Sequence, residues 1–124
     1  MRSPLPDELA TITTWPRLKR YRYFFEEAIR TNHIWTLYKN RWARTETNGY
    51  HTFPLWPSEA FATICAIEEW HQYKPIQFTV EIVLTEVIPM LDNSLLFPSI
   101  FQTPTDSGSV INTQLLKDEL LQLM

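Results

Sequence analysis

Apolar residues recur at helical spacing in the stretch opened by Pro16, where Leu18, Tyr21, Phe25, Ala28 and Ile29 fall on one predicted face. Proline suits the first turn of such a helix, and Arg22, Glu26 and Arg30 form a charged ladder on its outer side. From Ile34 the pattern changes. Ile34-Trp35-Thr36-Leu37-Tyr38 is rich in β-branched and aromatic residues, and Trp42 to Thr45 follows after a short turn. Asn48-Gly49 is the clearest turn signal, because both residues accept the positive φ of a type I′ hairpin. Tyr50 to Leu55 then pairs antiparallel with the preceding strand, and Pro54 predicts that this end lies at an edge or leaves the sheet.

The second half alternates in the same way. Ser58 as cap, or Pro57 in the first turn, opens a helix predicted to reach Trp70. Ile76 to Phe78 reads as a short strand, and Thr79 caps a helix striped by Val80, Val83, Leu84, Val87, Ile88 and Leu91. Pro89 predicts a kink or an end there. Leu95 to Gln102 reads as a strand interrupted by Pro98, followed by a second short strand at Val110-Ile111. A last helix, capped by Asn112 or Thr113, is expected to bury Leu116, Leu120 and Leu123. The fold class expected is α+β, with a mainly antiparallel sheet packed against about four helices. Residues 1–14 read as an N-terminal arm and 15–124 as a single domain.

Composition supports a packed core: 44% of the 124 residues are hydrophobic, with five Trp and seven Phe. Charge changes the picture more. Residues 1–50 carry a net +4 and residues 51–124 a net −7, within an overall −3. That balance is too acidic for a typical nucleic-acid binder. Cys65 is the single cysteine, so no intrachain disulfide is available. With no secretory-type apolar segment near the N-terminus and no apolar run long enough to cross a bilayer, the expectation is a cytoplasmic protein without membrane contact.

Catalytic motifs are scarce. Gly49 and Gly108 are the only glycines, which leaves no phosphate loop, dinucleotide fingerprint or nucleophile elbow. His33, His51 and His71 lack ligand spacing, so neither a metal nor a cofactor is expected. Cys65 and His71 point to nearly opposite sides of one predicted helix, and the apolar neighbours of Cys65 predict burial. Glu68 falls within the same predicted apolar arc as Phe61 and Ile64, where a half-buried carboxylate serves as an acid or base, or simply pairs at the rim.

Two surfaces stand out as binding candidates. Arg17, Lys19, Arg20 and Arg22, with Arg41, Trp42 and Arg44 nearby, offer a positive aromatic face; the plainer alternative is a solvated helix balanced by Glu26 and Glu27. Trp56 and Trp70, with Glu68, offer a pocket; the alternative is an aromatic core.

The chain resembles the bacterial domain-of-unknown-function family 2750. The likeness is carried by Arg20-Tyr21-x-Tyr23-Phe24-Phe25, Trp35-x-Leu37, Pro54-Leu55-Trp56-Pro57, Phe61-Ala62, Glu69-Trp70, Tyr73-x-Pro75 and Ile88-Pro89-x-Leu91. It departs at Phe101-Gln102-Thr103, where family members carry Phe-Pro-Thr. The resemblance implies a small bacterial protein and supplies no catalytic residue. Together these readings predict a non-catalytic binding module with a protein partner, of inhibitor or immunity type. The alternatives are a nucleic-acid binder using the basic first helix, and a small enzyme using Glu68 or Cys65.

Overall fold

The computed structural model describes residues 4–124. Pro16, in an extended conformation, leads into helix α2 (Arg17–Thr31), which Asn32 closes with a left-handed backbone, φ 60°. This helix buries Phe24, Phe25 and Ala28, and with them Arg20. Leu18, expected on the inner face, is 60% exposed instead. The inner stripe is turned toward Arg20 because that side chain is anchored to a loop deep in the sequence, described below. On the outer side Arg30 grips Glu27 with two bonds of 2.7 and 2.8 Å.

Among the described residues seven strands form two sheets. The first has the order β2-β1-β5, all antiparallel, from β1 (Ile34–Lys39), β2 (Arg41–Trp42) and β5 (Lys74–Phe78). The second has the order β3-β4-β6-β7, from β3 (Thr45–Thr47), β4 (Tyr50–Leu55), β6 (Phe97–Ile100) and β7 (Ser109–Val110). Its one parallel pair is β4 with β6, joined through an intervening helical crossover as parallel strands require. The strand expected over Trp42 to Thr45 is split, because the chain leaves one sheet at Ala43 and enters the other at Thr45. Ala43 is fully buried at the crossing and donates its N–H to the Leu37 carbonyl at 2.9 Å. Trp35 and Trp56 stitch the sheets together by exchanging backbone hydrogen bonds of 2.9 and 2.8 Å.

The hairpin forms as expected. Thr47 pairs with Tyr50, leaving Asn48 (φ 51°) and Gly49 (φ 86°) as a two-residue turn with both φ values positive. Pro54, however, lies on an interior strand. Its carbonyl accepts from the Thr36 hydroxyl at 2.7 Å, so its missing N–H faces the same side, beyond the last β3 pair at Thr45. No ladder bond is lost there, and the edge requirement is met locally.

Helices cover the sheets. Residues 6–12, within the expected arm, form α1 (Pro6–Ile12), with proline and two acids in the first turn and Ile12 sunk into the core; residues 1–3 of the arm lie outside the described residues. Helix α3 (Glu59–Ile64) stops well short of Trp70. Ser58 occupies its cap position, yet the hydroxyl makes no capping bond. After Cys65 the chain extends at Ile67, takes a left-handed step at Glu68 (φ 55°), and closes a 3-10 turn over Glu68–Trp70. Thr79 does cap the next helix, its hydroxyl accepting from the Ile82 N–H at 3.2 Å. That helix runs from α4 (Val80–Ile82) through a π turn (Val83–Val87) into α5 (Ile88–Ser94). Pro89 is therefore accommodated within the helix: the widened turn before it relieves the clash its ring makes with the preceding carbonyls. Asn112 caps α6 (Thr113–Leu123) through the Leu115 N–H at 2.8 Å. Leu116 and Leu120 are buried, whereas Leu123 reaches solvent in the final turn.

Candidate functional site

The cations of α2 do not form one face. Arg20 is 2% exposed. Its Nε donates to the Phe101 carbonyl at 3.1 Å, Nη1 to the Trp15 carbonyl at 2.8 Å, and Nη2 to Asp106 at 2.8 Å and to the Ser107 carbonyl at 3.1 Å. Phe101 holds an unusual left-handed backbone, φ 58°, and Arg20 meets the carbonyl that this turn directs inward. Arg17 donates to the other Asp106 oxygen at 2.8 Å. Lys19 lies over the Trp15 ring at 4.0 Å from its centre, and Arg22 alone of the four stays at the surface without a described anchor. Of the two readings of these residues, a positive face or a helix whose charges are balanced, α2 follows the second, with Asp106 as the balancing carboxylate in place of Glu26 and Glu27. Three of the four α2 cations are engaged elsewhere, and Arg17 lines a separate hollow with Tyr50, Phe97 and Asn112.

Of the two readings of Trp56 and Trp70, pocket or aromatic core, the geometry of the pair follows the core; Trp70 and Glu68, without Trp56, border a small hollow of about 100 Å³. Trp56 is fully buried and Trp70 is 6% exposed, and their rings meet edge to face at 6.3 Å. The Trp56 indole donates to the Gln102 carbonyl at 2.9 Å, and the Cys65 thiol reaches the same oxygen at 3.5 Å. These side chains are core, with the polar tip of Trp56 satisfied by the chain itself. Glu68 is exposed, because the helix that would have turned it inward ends at Ile64. Burial pushes the Cys65 thiol up to about 12 despite the adjacent Trp56 indole and the charge of Arg20, so it stays protonated and poorly nucleophilic.

Arg41, Trp42 and Arg44 do converge, with partners that sequence spacing did not reveal. Together with Glu69, Trp70 and Tyr73 they line a cleft of about 500 Å³. β2 supplies Arg41 and Trp42, the crossing segment supplies Arg44, and the opposite wall comes from the 3-10 turn and the residues leading into β5. Trp42 is held rigidly by ring contacts with Tyr38 at 4.7 Å, Phe78 at 5.6 Å and Phe53 at 5.8 Å. Arg41 and Arg44 are exposed, and neither has a carboxylate partner among the described residues. Tyr73 and Glu69 lie in Tyr73-x-Pro75 and Glu69-Trp70, two of the pieces that carry the family resemblance. Their convergence on β2 depends on the antiparallel register of β5 with β1.

Among the described residues no group of three or more His, Cys, Asp or Glu side chains is placed to hold a metal ion. No helix among them is long and apolar enough to cross a membrane. Residues 21–120 match the family described as "Protein of unknown function (DUF2750)", and the chain belongs to it. No curated protein and no solved structure matches the chain.

Proposed function

We propose that this DUF2750 member is a non-catalytic binding module that engages a protein partner through the Arg41–Trp42–Arg44 cleft. The observation that carries the reading is the composition of the cleft: two unpaired guanidinium groups beside Trp42, Trp70 and Tyr73. Trp, Tyr and Arg are the side chains that dominate binding energy at protein interfaces, because they combine large apolar area with directional polar contacts. Glu69 and Tyr73 are the acid–base side chains in its lining beside the arginines, and Cys65, Glu68 and His71 do not line it. Cys65 is buried beside a separate hollow of about 100 Å³ that Glu68 also lines, and Glu68 and His71 are exposed, with the His71 Nδ1 bound locally to the Glu68 carbonyl at 2.8 Å. A stoichiometric inhibitor or immunity-type protein is one form such a module takes.

Charge reversal tests the reading. Arg41→Glu/Arg44→Glu is expected to abolish capture of the partner from lysate, while Cys65→Ser and Glu68→Gln leave capture intact. Turnover of a defined substrate that disappears with Glu68→Gln would count against it.

A further inference from the structure

Two lysines outside the cleft wall extend its charge. Lys39 pairs in register with Arg41, and Lys74 pairs with Tyr38, whose ring packs on Trp42. Lys39 also donates to the Gln72 side chain, which places it beside Tyr73. Lys39, Arg41, Arg44 and Lys74 therefore lie around one end of the first sheet, all exposed, Lys39 and Arg41 on one face and Lys74 on the face of Tyr38 and Trp42. No salt bridge involves any of them among the described residues. The contrast within the same protein is informative: Arg17 and Arg20 share Asp106, and Arg30 has Glu27. Glu69 is the single carboxylate in the cleft wall, on a chain whose net charge is −3.

Resting on the binding-module reading, we infer that the partner presents an acidic polypeptide segment, seated on Lys39, Arg41, Arg44 and Lys74. A local excess of positive charge on an otherwise acidic protein orients an encounter: it attracts acidic partners to this end while the rest of the surface repels them. Single-stranded nucleic acid shares the anionic chemistry but fits the geometry less well. It needs open aromatic faces on which bases stack, and the Trp42 ring is already packed by Tyr38, Phe53 and Phe78, while Trp70 is buried. A peptide needs no stacking platform: its carboxylates take the guanidinium groups in forked pairs.

Short poly-L-glutamate is the probe, titrated into the isotope-labelled full chain and followed by NMR, with poly-L-lysine and oligo-dT alongside. The expected result is a shift of the Trp42 indole and of the Arg41–Arg44 amides with polyglutamate alone. Binding should weaken about ten-fold in Lys39→Glu/Lys74→Glu and in high salt, as for a charge-steered contact. Arg22→Glu, on the remote helix, should leave it unchanged. Oligo-dT binding tighter than polyglutamate at equal ionic strength would overturn the inference. So would polyglutamate that leaves these signals unmoved. A partner captured through Arg41 and Arg44 but indifferent to Lys39→Glu/Lys74→Glu and to salt would overturn it while leaving the binding-module reading in place. Polyglutamate binding as expected alongside no captured protein would instead sink that reading.

Discussion

Arg20 and Asp106, 86 positions apart in the chain, meet at 2.8 Å with the guanidinium almost wholly withdrawn from water. Every bond that Arg20 makes ends on Trp15 or on the segment from Phe101 to Ser107, so one side chain fastens the start of α2 to the loop after β6. Breaking a buried charge network from one side leaves carbonyls and a carboxylate without donors. Arg20→Met is therefore expected to cost about 3–5 kcal/mol in urea unfolding. Arg20→Lys should recover only part of this, since an ammonium cannot span the same fork of acceptors. Arg17→Met, on the exposed side of the same carboxylate, should cost less than about 1 kcal/mol. Equal losses at the two positions would show that Arg20 is not the fastening residue.

Asp106 makes the same junction sensitive to acid. Hydrogen bonds from Arg17 and then Arg20 hold its carboxyl down to about 2, below the ordinary aspartate value. A depressed carboxyl contributes stability above its unfolded value of about 3.9, and that contribution is lost as pH falls toward the folded value. The side chain is 40% exposed, so solvent screening reduces the contribution to on the order of 1 kcal/mol. Asp106→Asn should flatten the stability profile between about pH 4 and pH 2. Identical acid profiles for the two proteins would remove Asp106 from the account.

What could be read from the residues, and what could not, divides along physical lines. Local signals held: the Asn48-Gly49 turn, the Thr79 and Asn112 caps, and the burial of Cys65 depend on a few neighbouring residues. Helical phase failed wherever a helix ended early. Glu68 was assigned to an inner arc on the assumption that α3 continued, but the left-handed step at Glu68 itself resets the phase. Arg20 carries the same lesson in reverse. An arginine on a helix beside other cations reads as surface, and apart from the Trp15 carbonyl its acceptors lie 81 to 87 positions away on a loop that no periodicity reveals. Half of the candidate cleft was legible as Arg41, Trp42 and Arg44. Glu69, Trp70 and Tyr73 join it only through the pairing of β1 with β5.

Gly108 is required for a reason of space. A Cβ there would stand 2.6 Å from the Ser99 hydroxyl and 2.7 Å from the Ile100 carbonyl oxygen. Gly108→Ala is expected to destabilise by about 1–3 kcal/mol, as overpacking does. Ser99→Ala alone should be neutral or mildly stabilising, because that hydroxyl is buried without a partner. The double variant should recover only part of the loss, since the Ile100 carbonyl belongs to β6 and cannot yield as a side chain can. Full recovery in thermal unfolding would mean that the hydroxyl is the whole obstacle.

Cys65 separates the binding reading from the enzymatic one most directly. A thiol that serves as nucleophile must ionise near neutral pH and must be reachable. This one is 3% exposed, with its ionisation pushed up to about 12 mainly by burial. In the native protein, labelling by a thiol reagent is therefore expected to proceed only as fast as local opening. Its rate should rise steeply with added urea, whereas raising the pH from 7 to 8.5 should change it far less than it changes an exposed thiol. The same shift has a consequence for stability. A raised value leaves the folded protein protonated while the unfolded chain ionises, so stability is intact below about pH 8.5 and declines as pH rises toward the folded value. Cys65→Ala removes that decline and adds a small cavity cost that does not vary with pH. Stability curves for the two proteins should thus converge between about pH 9 and pH 11. Curves that stay parallel, together with rapid native-state labelling at neutral pH, would show an accessible and ionised thiol and restore Cys65 as a candidate nucleophile.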